Sequence, residues 1–253
     1  MTKLKRALEG ASGYVTGLRL SKQELATVRE LIRAQWLRRI REIAPFEAGK
    51  FEDTSIDRYH ELAPLIDHKR AWPKLARMLP QDAVDEIRNT SLVEALTDEF
   101  GAFTISDEEN LGRENIYWRL VRPNAPGDIG PVHADQWFWA LGHGSMPRGM
   151  QRVKVWVALH CEPGQAGFRF VPGSHQKQWP YYGEQRDGFV KPQFDIPESD
   201  LDLRLFESEP GQAIVFHDRL LHGGAPGGTL TRVSMEFTMF VKNEHYFESS
   251  ALT

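Results

Sequence analysis

From Gly101 onward, short segments rich in β-branched and aromatic residues alternate with turns that contain glycine and proline. We predict that each of five segments is a strand: NIYWRLVRP, RVKVWVALH, GFRFVPGS, GQAIVFH and TRVSMEFTMFV. No helical pattern intervenes, so an antiparallel sandwich or barrel of the jelly-roll type is favoured over a parallel α/β sheet. The long stretches Leu141–Gln151 and Gln176–Asp202 are predicted to be lids or binding loops.

The preceding part of the chain has helical patterns instead. Ser21 and Glu24 form a capping box, and apolar residues recur at helical spacing until Pro45. Further helical segments are predicted over residues 55–78, interrupted by Pro64 and Pro73, and over residues 81–100. We therefore predict a mainly β protein, with one domain over residues 1–253. Its residues 1–100 would form a helical part outside a jelly-roll core of residues 101–245.

The composition narrows the class of protein. The chain has 253 residues, of which 41% are hydrophobic and 26% charged, and its net charge is -4. These values are ordinary for a globular protein and give no basic excess for nucleic-acid binding. Cys161 is the single cysteine, and neither a secretory signal nor an apolar run of membrane-spanning length is present. We expect a cytoplasmic protein, and the composition does not indicate its oligomeric state.

The stretch PVHADQWFW places His133 and Asp135 two positions apart. Residues i and i+2 of a strand share a face, so we expect these two potential metal ligands to point the same way. A later stretch, HDRLLHGGAPGGTLTRVSMEF, offers His217 and His222 as a third ligand. Two histidines and a carboxylate form the facial triad typical of non-haem Fe(II) oxygenases. The open face of such a metal admits oxygen and a bidentate co-substrate.

Arg232 and Ser234 follow in the same stretch, two positions apart on a predicted strand. Fe(II), the Asp135 carboxylate and a dicarboxylate 2-oxo acid together carry one excess negative charge, which one arginine neutralises. A guanidinium also pairs bidentately with a carboxylate, and the serine hydroxyl adds a donor. The pattern predicts a clamp for the distal carboxylate of the co-substrate.

Three segments in this order carry a family resemblance: HAD at 133–135, VWVALHCEPGQAGFRFVPGSH at 155–175 and GQAIVFHDRLLHGGAPGGTLTRVS at 211–234. They resemble the phytanoyl-CoA dioxygenase-like family of Fe(II)- and 2-oxoglutarate-dependent oxygenases, over roughly residues 110–240. The resemblance implies a double-stranded β-helix, a cupin-like jelly-roll barrel with helices on one side. This fold agrees with the strand pattern.

The resemblance implies that His133, Asp135 and His222 are the iron ligands and hence the catalytic centre. His217 lies five positions before His222, so an unbroken strand would place the two on opposite faces. We predict that His217 hydrogen-bonds within a turn and that GGAPGG forms a short hairpin after His222. Halogenating relatives replace the carboxylate with a small residue, so the intact Asp135 favours hydroxylation or another oxidation.

Co-substrate contacts are implied as well. Arg232 matches the residue that grips the distal carboxylate of 2-oxoglutarate, with Ser234 beside it. Trp156 and Trp118 match tryptophans that contact the co-substrate in relatives. Phe168 departs from the family pattern, which has a smaller aliphatic residue there. The expected cofactors are Fe(II), 2-oxoglutarate as co-substrate, and ascorbate as an optional reductant.

The implied reaction hydroxylates an unactivated C–H bond of a small molecule with O2 and gives succinate and CO2. The substrate is left open. Two groups of side chains are candidates for contacting it, although core or solvated positions are at least as consistent with the pattern. They are the aromatic residues Trp137, Phe138, Trp139, Tyr181 and Tyr182 and the arginines Arg119, Arg122, Arg148, Arg152, Arg169 and Arg219. The alternatives to an oxygenase are a metal-dependent isomerase or hydrolase and a non-catalytic ligand-binding β-barrel.

Overall fold

The computed structural model describes residues 2–186, 188–225 and 228–243. All five predicted strand segments form strands. The strands in chain order are β1 (Tyr14–Arg19), β2 (Thr104–Ile105), β3 (Tyr117–Val121), β4 (Met150–His160), β5 (Gly167–Phe170), β6 (Tyr182–Arg186), β7 (Phe189–Gln193), β8 (Arg204–Phe206), β9 (Gln212–His217), β10 (His222–Ala225) and β11 (Arg232–Lys242).

Two antiparallel sheets build the barrel. The major sheet has the order β1-β9-β4-β11-β2, and β3 also pairs with β11. The minor sheet has the order β10-β5-β8, and a separate hairpin joins β6 to β7. The fold is the double-stranded β-helix that the resemblance implies, and it agrees with the jelly-roll type predicted from the strand pattern.

The helices in chain order are α1 (Lys3–Glu9), α2 (Lys22–Ile43), α3 (Ala48–Glu52), α4 (Tyr59–Leu62), α5 (His68–Ala71), α6 (Gln81–Arg88), α7 (Ser91–Phe100) and α8 (Asp135–Ala140). The α2 capping box is present, since Ser21 Oγ accepts from the Glu24 amide and the Glu24 carboxylate accepts from the Ser21 amide. Among the described residues, no helix is long and apolar enough to cross a bilayer.

Residues 55–78 form a series of short helices and turns around Pro64 and Pro73, which agrees with the predicted interruption of this helical segment. Two other features differ from the prediction. Residues 81–100 form two helices, α6 and α7, which are separated at Asn89 and Thr90. The helical part also contributes a strand, β1, which pairs with β9 of the major sheet. The predicted end of the core at residue 245 lies outside the described residues.

Side-chain alternation on the major sheet divides the interior. One face of β4, β9 and β11 packs against the N-terminal helices, and this core includes Val155, Val157, Val215, Met235 and Phe237. From α2 it receives Trp36 and Ile40, both with no exposed area. The opposite face points toward the minor sheet, where Trp156, Ile214 and Phe216 meet Phe168 and Phe170. The inner face of β11 carries polar residues instead, and the site is built there.

Candidate active site

His133 and His222 face each other across an isolated antiparallel bridge. The His133 amide donates to the His222 carbonyl at 2.9 Å, and the His222 amide donates to the His133 carbonyl at 2.8 Å. Asp135 is not on a strand as predicted: it is the first residue of α8. The helix turns the carboxylate back toward the two imidazoles. A chain reversal therefore brings the H-x-D pair together, and strand alternation does not.

The three side chains form a group that could hold a metal ion, with one ligand atom from each lying within 4.8 Å of the others. His133 Nε2 lies 3.8 Å from Asp135 Oδ1, and His222 Nε2 lies 3.5 Å from Asp135 Oδ2. Asp135 Oδ2 is buried without a hydrogen-bond partner among the described residues. A buried carboxylate oxygen without a partner is costly, so this donor set fits a bound cation.

Both imidazoles are oriented by the carbonyl two residues before them. His133 Nδ1 lies 2.8 Å from the Pro131 carbonyl, and His222 Nδ1 lies 2.9 Å from the Leu220 carbonyl. A carbonyl can only accept, so each Nδ1 carries the proton and each Nε2 presents a lone pair to the centre of the group. Such contacts are usual behind metal-binding histidines.

Aromatic rings surround the imidazoles. Phe168 stacks on His222 with ring centroids 5.1 Å apart and an interplanar angle of 16°. Phe216 packs on the same ring at 4.7 Å, and Phe138 meets His133 edge-on at 5.3 Å. The departure from the family pattern at Phe168 thus places a large ring against a candidate ligand. These contacts restrict the rotation of both histidines.

The charges favour the protonation states that a metal needs. Burial alone would raise the pKa of Asp135, but Lys154 and the two histidines lower it to about 2. Burial lowers the pKa of His222 to about 4, against the opposing effect of Asp135. At neutral pH the carboxylate is therefore ionised and His222 is neutral. Lys154 Nζ lies 3.6 Å from Asp135 Oδ2.

Arg232 and Ser234 lie on the inner face of β11 and are 4% and 0% exposed. Arg232 Nη1 donates to the Gly167 carbonyl at 2.6 Å, and the guanidinium lies 5.8 Å from the Trp156 ring. Arg232 Nε and Ser234 Oγ are buried without partners among the described residues. Burial lowers the pKa of Arg232 to about 10, so the residue remains a cation at neutral pH. Two such donors on one face suit a carboxylate.

The structure brings Trp156 to the site but not Trp118. Trp156 is on the inner face of β4, beside Arg232 and 5.6 Å from Phe168 between ring centroids. Trp118 is fully buried on the other face of β3, where its Nε1 donates to Gln35 Oε1 at 3.0 Å. Alternation along the strand explains the difference, because the neighbouring Arg119 takes the inner position.

His217 lies at the end of β9, outside the candidate metal group. Its Nδ1 accepts from the Arg219 amide at 3.1 Å, which is the turn contact that the sequence predicts. The predicted hairpin after His222 is wrong, because β10 pairs with β5 in the minor sheet while β11 belongs to the major sheet. Pro226 and Gly227 of the GGAPGG segment lie outside the described residues.

Most of the candidate substrate contacts have other roles. Trp137 stacks on Tyr181 with centroids 4.9 Å apart, Trp139 packs against Phe240, and Tyr182 is 50% exposed. Four of the arginines form ion pairs, which are Arg119–Glu236, Arg122–Asp128, Arg152–Asp218 and Arg169–Glu198. Phe138 and Arg119 are the members of the two groups that lie beside the site.

Three charged residues of the inner wall, Lys154, Glu236 and Glu108, were not predicted from the sequence. Lys154 Nζ donates to Thr238 Oγ1 at 2.9 Å and lies 3.9 Å from Glu108 Oε1. Glu236 pairs with Arg119 at 2.7 Å. A signal was available, because VKVWVAL and VSMEFTMF each place one charged residue within an apolar strand.

A family model of the phytanoyl-CoA dioxygenases, PhyH, matches residues 14–231. The match spans most of the chain and includes His133, Asp135 and His222, and Arg232 directly follows its end. The chain belongs to the phytanoyl-CoA dioxygenase family. It is therefore an enzyme of the Fe(II)- and 2-oxoglutarate-dependent oxygenase class. No curated protein sequence matches the chain.

Solved structures share the fold of this PhyH-family protein at low sequence identity. EvdO2 from Micromonospora carbonacea var. aurantiaca, complexed with 2-oxoglutarate, has a TM-score of 0.57 and 13% identity over 95% of this chain and 91% of its own. EctD from S. alaskensis, with 2-oxoglutarate and 5-hydroxyectoine, has a TM-score of 0.56 and 16% identity over 95% and 76%. The epimerase SnoN, in complex with Fe3+, α-ketoglutarate and nogalamycin RO, has a TM-score of 0.55 and 17% identity over 94% and 82%.

Proposed function

We propose that this enzyme is a dioxygenase that hydroxylates an unactivated C–H bond of a small molecule. In this reaction one oxygen atom of O2 enters the C–H bond of the substrate. The other oxygen atom enters succinate as 2-oxoglutarate loses CO2 and supplies two electrons. The observation that carries the proposal is that three metal-competent side chains lie inside one barrel with two buried hydrogen-bond donors, Arg232 Nε and Ser234 Oγ, that have no partner among the described residues.

His133, Asp135 and His222 would hold Fe(II), with the imidazole Nε2 atoms and one carboxylate oxygen as ligands. When bound, the iron supplies activation of dioxygen coupled to decarboxylation of 2-oxoglutarate. The protonated Nδ1 atoms would keep their hydrogen bonds to the Pro131 and Leu220 carbonyls, which hold the imidazoles in position. Ascorbate would keep the metal reduced.

Arg232 and Ser234 would bind the distal carboxylate of 2-oxoglutarate, and Trp156 would flank it. Fe(II), the Asp135 carboxylate and 2-oxoglutarate together carry one excess negative charge, and the positive charge of Arg232 offsets it. Phe168 and Phe216, both nearly fully buried, exclude water from the metal side of the site. An Asp135 carboxylate in the ligand set leaves no place for a halide, which favours hydroxylation over halogenation.

The reaction outcome is the part that needs an experiment. Two structural neighbours are named a carbocyclase and an epimerase, so the fold alone does not determine the outcome. Metabolite extracts incubated with the enzyme, Fe(II), 2-oxoglutarate and ascorbate should show one compound gaining one oxygen atom. A product that has lost two hydrogens instead would replace hydroxylation by desaturation or ring formation. We expect the enzyme to act in the cytoplasm.

Anaerobic titration tests the site directly. Fe(II) and 2-oxoglutarate should give the visible charge-transfer band of the chelate, and air should then release succinate. His222→Ala should abolish both signals, whereas the matched variant His217→Ala should keep the band. A metal-dependent isomerase, a hydrolase or a binding protein would produce neither band nor succinate. A band that survives in His222→Ala but is lost in His217→Ala would reverse the ligand assignment.

A further inference from the structure

Charged side chains that neither the metal nor the clamp uses line the inner wall beside the candidate metal site. Arg119 of β3 pairs in register with Ser234 of β11, and Lys154 of β4 pairs with Thr238. Partners in an antiparallel pair share a face, so Arg119 and Lys154 lie on the same wall as the clamp. Glu236, between Ser234 and Thr238 on β11, completes this wall.

Buried charges are costly unless they are paired, and strands of a barrel core usually avoid them. Lys154 is 8% exposed, yet it stands in the otherwise apolar segment VKVWVAL. A wall of this kind solvates a hydrocarbon poorly and a polar molecule well. The placement therefore indicates a polar substrate.

Arg119 is the accessible cation of the wall. Its side chain is 46% exposed, although its neighbours Trp118 and Leu120 are 0% and 5% exposed. Arg119 Nε donates to Glu236 Oε1 at 2.7 Å. Within the described residues, neither terminal amino group of this guanidinium has a hydrogen-bond partner. Glu236 thus orients the Arg119 guanidinium through Nε. The two terminal amino groups, which form the fork of the guanidinium, remain available for a bidentate anion.

The opposite charges of Arg119 and Glu236 limit what a substrate can add. Arg119 Nε and Glu236 Oε1 lie 2.7 Å apart, so this part of the wall presents a cation and an anion side by side. Arg77 is a further cation that acts electrostatically on both groups. A molecule that carries its own carboxylate close to a cationic group matches this adjacent pair of opposite charges.

We propose that the substrate is a small zwitterion of the amino-acid type, whose carboxylate binds the two terminal amino groups of Arg119 and whose cationic group faces Glu236. This inference rests on the proposed oxygenase function and names its substrate class. Glu236 then has two functions, since it orients the Arg119 fork and accepts from the ammonium group. The fixed position of both charges would present one C–H bond of the amino-acid side group to the metal.

The first test uses the full-length protein loaded with Fe(II) and 2-oxoglutarate. The proteinogenic L-amino acids are supplied one at a time, each beside its methyl ester, its N-acetyl derivative and an unbranched fatty acid, and succinate is measured. At least one amino acid should raise the rate about tenfold over the substrate-free rate, and its ester and N-acetyl forms should not. Stimulation by the fatty acid or the ester alone, or by no amino acid while substrate-free succinate still forms, overturns the zwitterion assignment. Absence of both the chelate band and succinate rejects the proposed function instead.

The second test removes the ion pair as a unit. Arg119→Leu with Glu236→Leu should raise the KM for the stimulating amino acid by about 30-fold or more, the usual effect of losing a charged contact that becomes buried when the substrate binds. The affinity for 2-oxoglutarate, read from the chelate band, should stay unchanged. Arg119→Lys keeps the charge without the fork, which provides a second variant if the double substitution does not fold, and it should also raise the KM. Weaker 2-oxoglutarate binding with an unchanged KM would place Arg119 on the co-substrate and overturn the inference.

Discussion

The two candidate histidine ligands use the same local device. Each imidazole bonds through Nδ1 to the carbonyl two residues earlier, Pro131 for His133 and Leu220 for His222. The backbones of the two histidines are also bonded to each other in both directions. The Nε2 atoms are therefore directed before any metal arrives, and little reorganisation is needed on binding.

Arg232 is the residue whose loss should separate co-substrate binding from metal binding. Arg232→Leu removes the buried cation that we propose binds the distal carboxylate, and it changes none of the three candidate ligands. We expect the 2-oxoglutarate dissociation constant to rise by about 30-fold or more, from the roughly 2–5 kcal/mol typical of such a truncation, while metal affinity is retained. Calorimetric titration of each ligand measures both. Arg204→Leu is a matched control, because that arginine forms an exposed pair with Asp202. Unchanged 2-oxoglutarate affinity in Arg232→Leu would remove this residue from the clamp.

His160 should make the stability depend on pH. Burial, with a contribution from Arg29, lowers the pKa of His160 to about 4 from its ordinary 6.5, although Asp57 opposes the shift. Because the folded-state pKa lies below the unfolded one, the unfolded protein binds more protons as the pH falls from 6.5 toward 4, and stability decreases over this window. His160→Gln should remove about 2 kcal/mol of that loss near about pH 5. Urea unfolding of both proteins at several pH values measures the difference, and parallel pH curves would contradict it.

At the scale of elements, the sequence predicts strands better than it predicts the site loop. Strands β4, β9 and β11 could be predicted because each is rich in β-branched and aromatic residues and lies between turn residues. The run QWFW after Asp135 has strand-like composition, yet it forms α8. Contacts distant in sequence stabilise this helix: the Gln136 amide donates to the Asp218 carbonyl, and Trp137 stacks on Tyr181. The composition of α8 does not indicate such long-range contacts.

Strand β10 was also not predicted from the sequence. Its four residues, HGGA, have low strand propensity. The strand exists because it pairs with β5 on one side and because His222 bridges to His133. The predicted hairpin fails for the same reason, since tertiary pairing decides which sheet each strand joins. The motif order was enough to propose the candidate ligands, but it did not predict the geometry that brings them together.

His143 connects the β6–β7 hairpin to the candidate metal site through a hydrogen bond and ring contacts. His143 Nε2 donates to the Val190 carbonyl at 2.6 Å, and the ring packs on Phe138, which in turn packs on His133. His143→Ala should therefore increase amide hydrogen exchange in residues 182–186 and 189–193 severalfold, in line with the loss of one hydrogen bond. Exchange in β4 should not change.

Hydrogen-exchange mass spectrometry resolves these segments. Tyr182→Phe is a matched control within the hairpin, because it removes only an exposed hydroxyl contact to Asp195. If exchange rises equally in both variants, or stays at the wild-type level in His143→Ala, then His143 does not hold the hairpin.

At the scale of the whole molecule, the helical part and the barrel share one core. The outer face of the major sheet is covered by α2, and β1 extends that sheet from the N-terminal side. Side chains also cross the boundary, since Arg29 donates twice to the Leu159 carbonyl. Separating the two parts would expose one whole face of the sheet. These contacts support the prediction of one domain.

Trp36 tests that prediction, because it lies in α2, far along the sequence from the candidate ligands. It has no exposed area and packs edge-on against Phe51 and Tyr59. Trp36→Ala should lower the free energy of unfolding by about 3–5 kcal/mol through the lost burial and the cavity it leaves. If the protein unfolds as one unit, near-UV circular dichroism and the anaerobic chelate band should disappear together in one transition, at a lower temperature than in the wild type. A chelate band that keeps its wild-type midpoint while the circular dichroism transition moves down would show that the barrel folds independently of the helices.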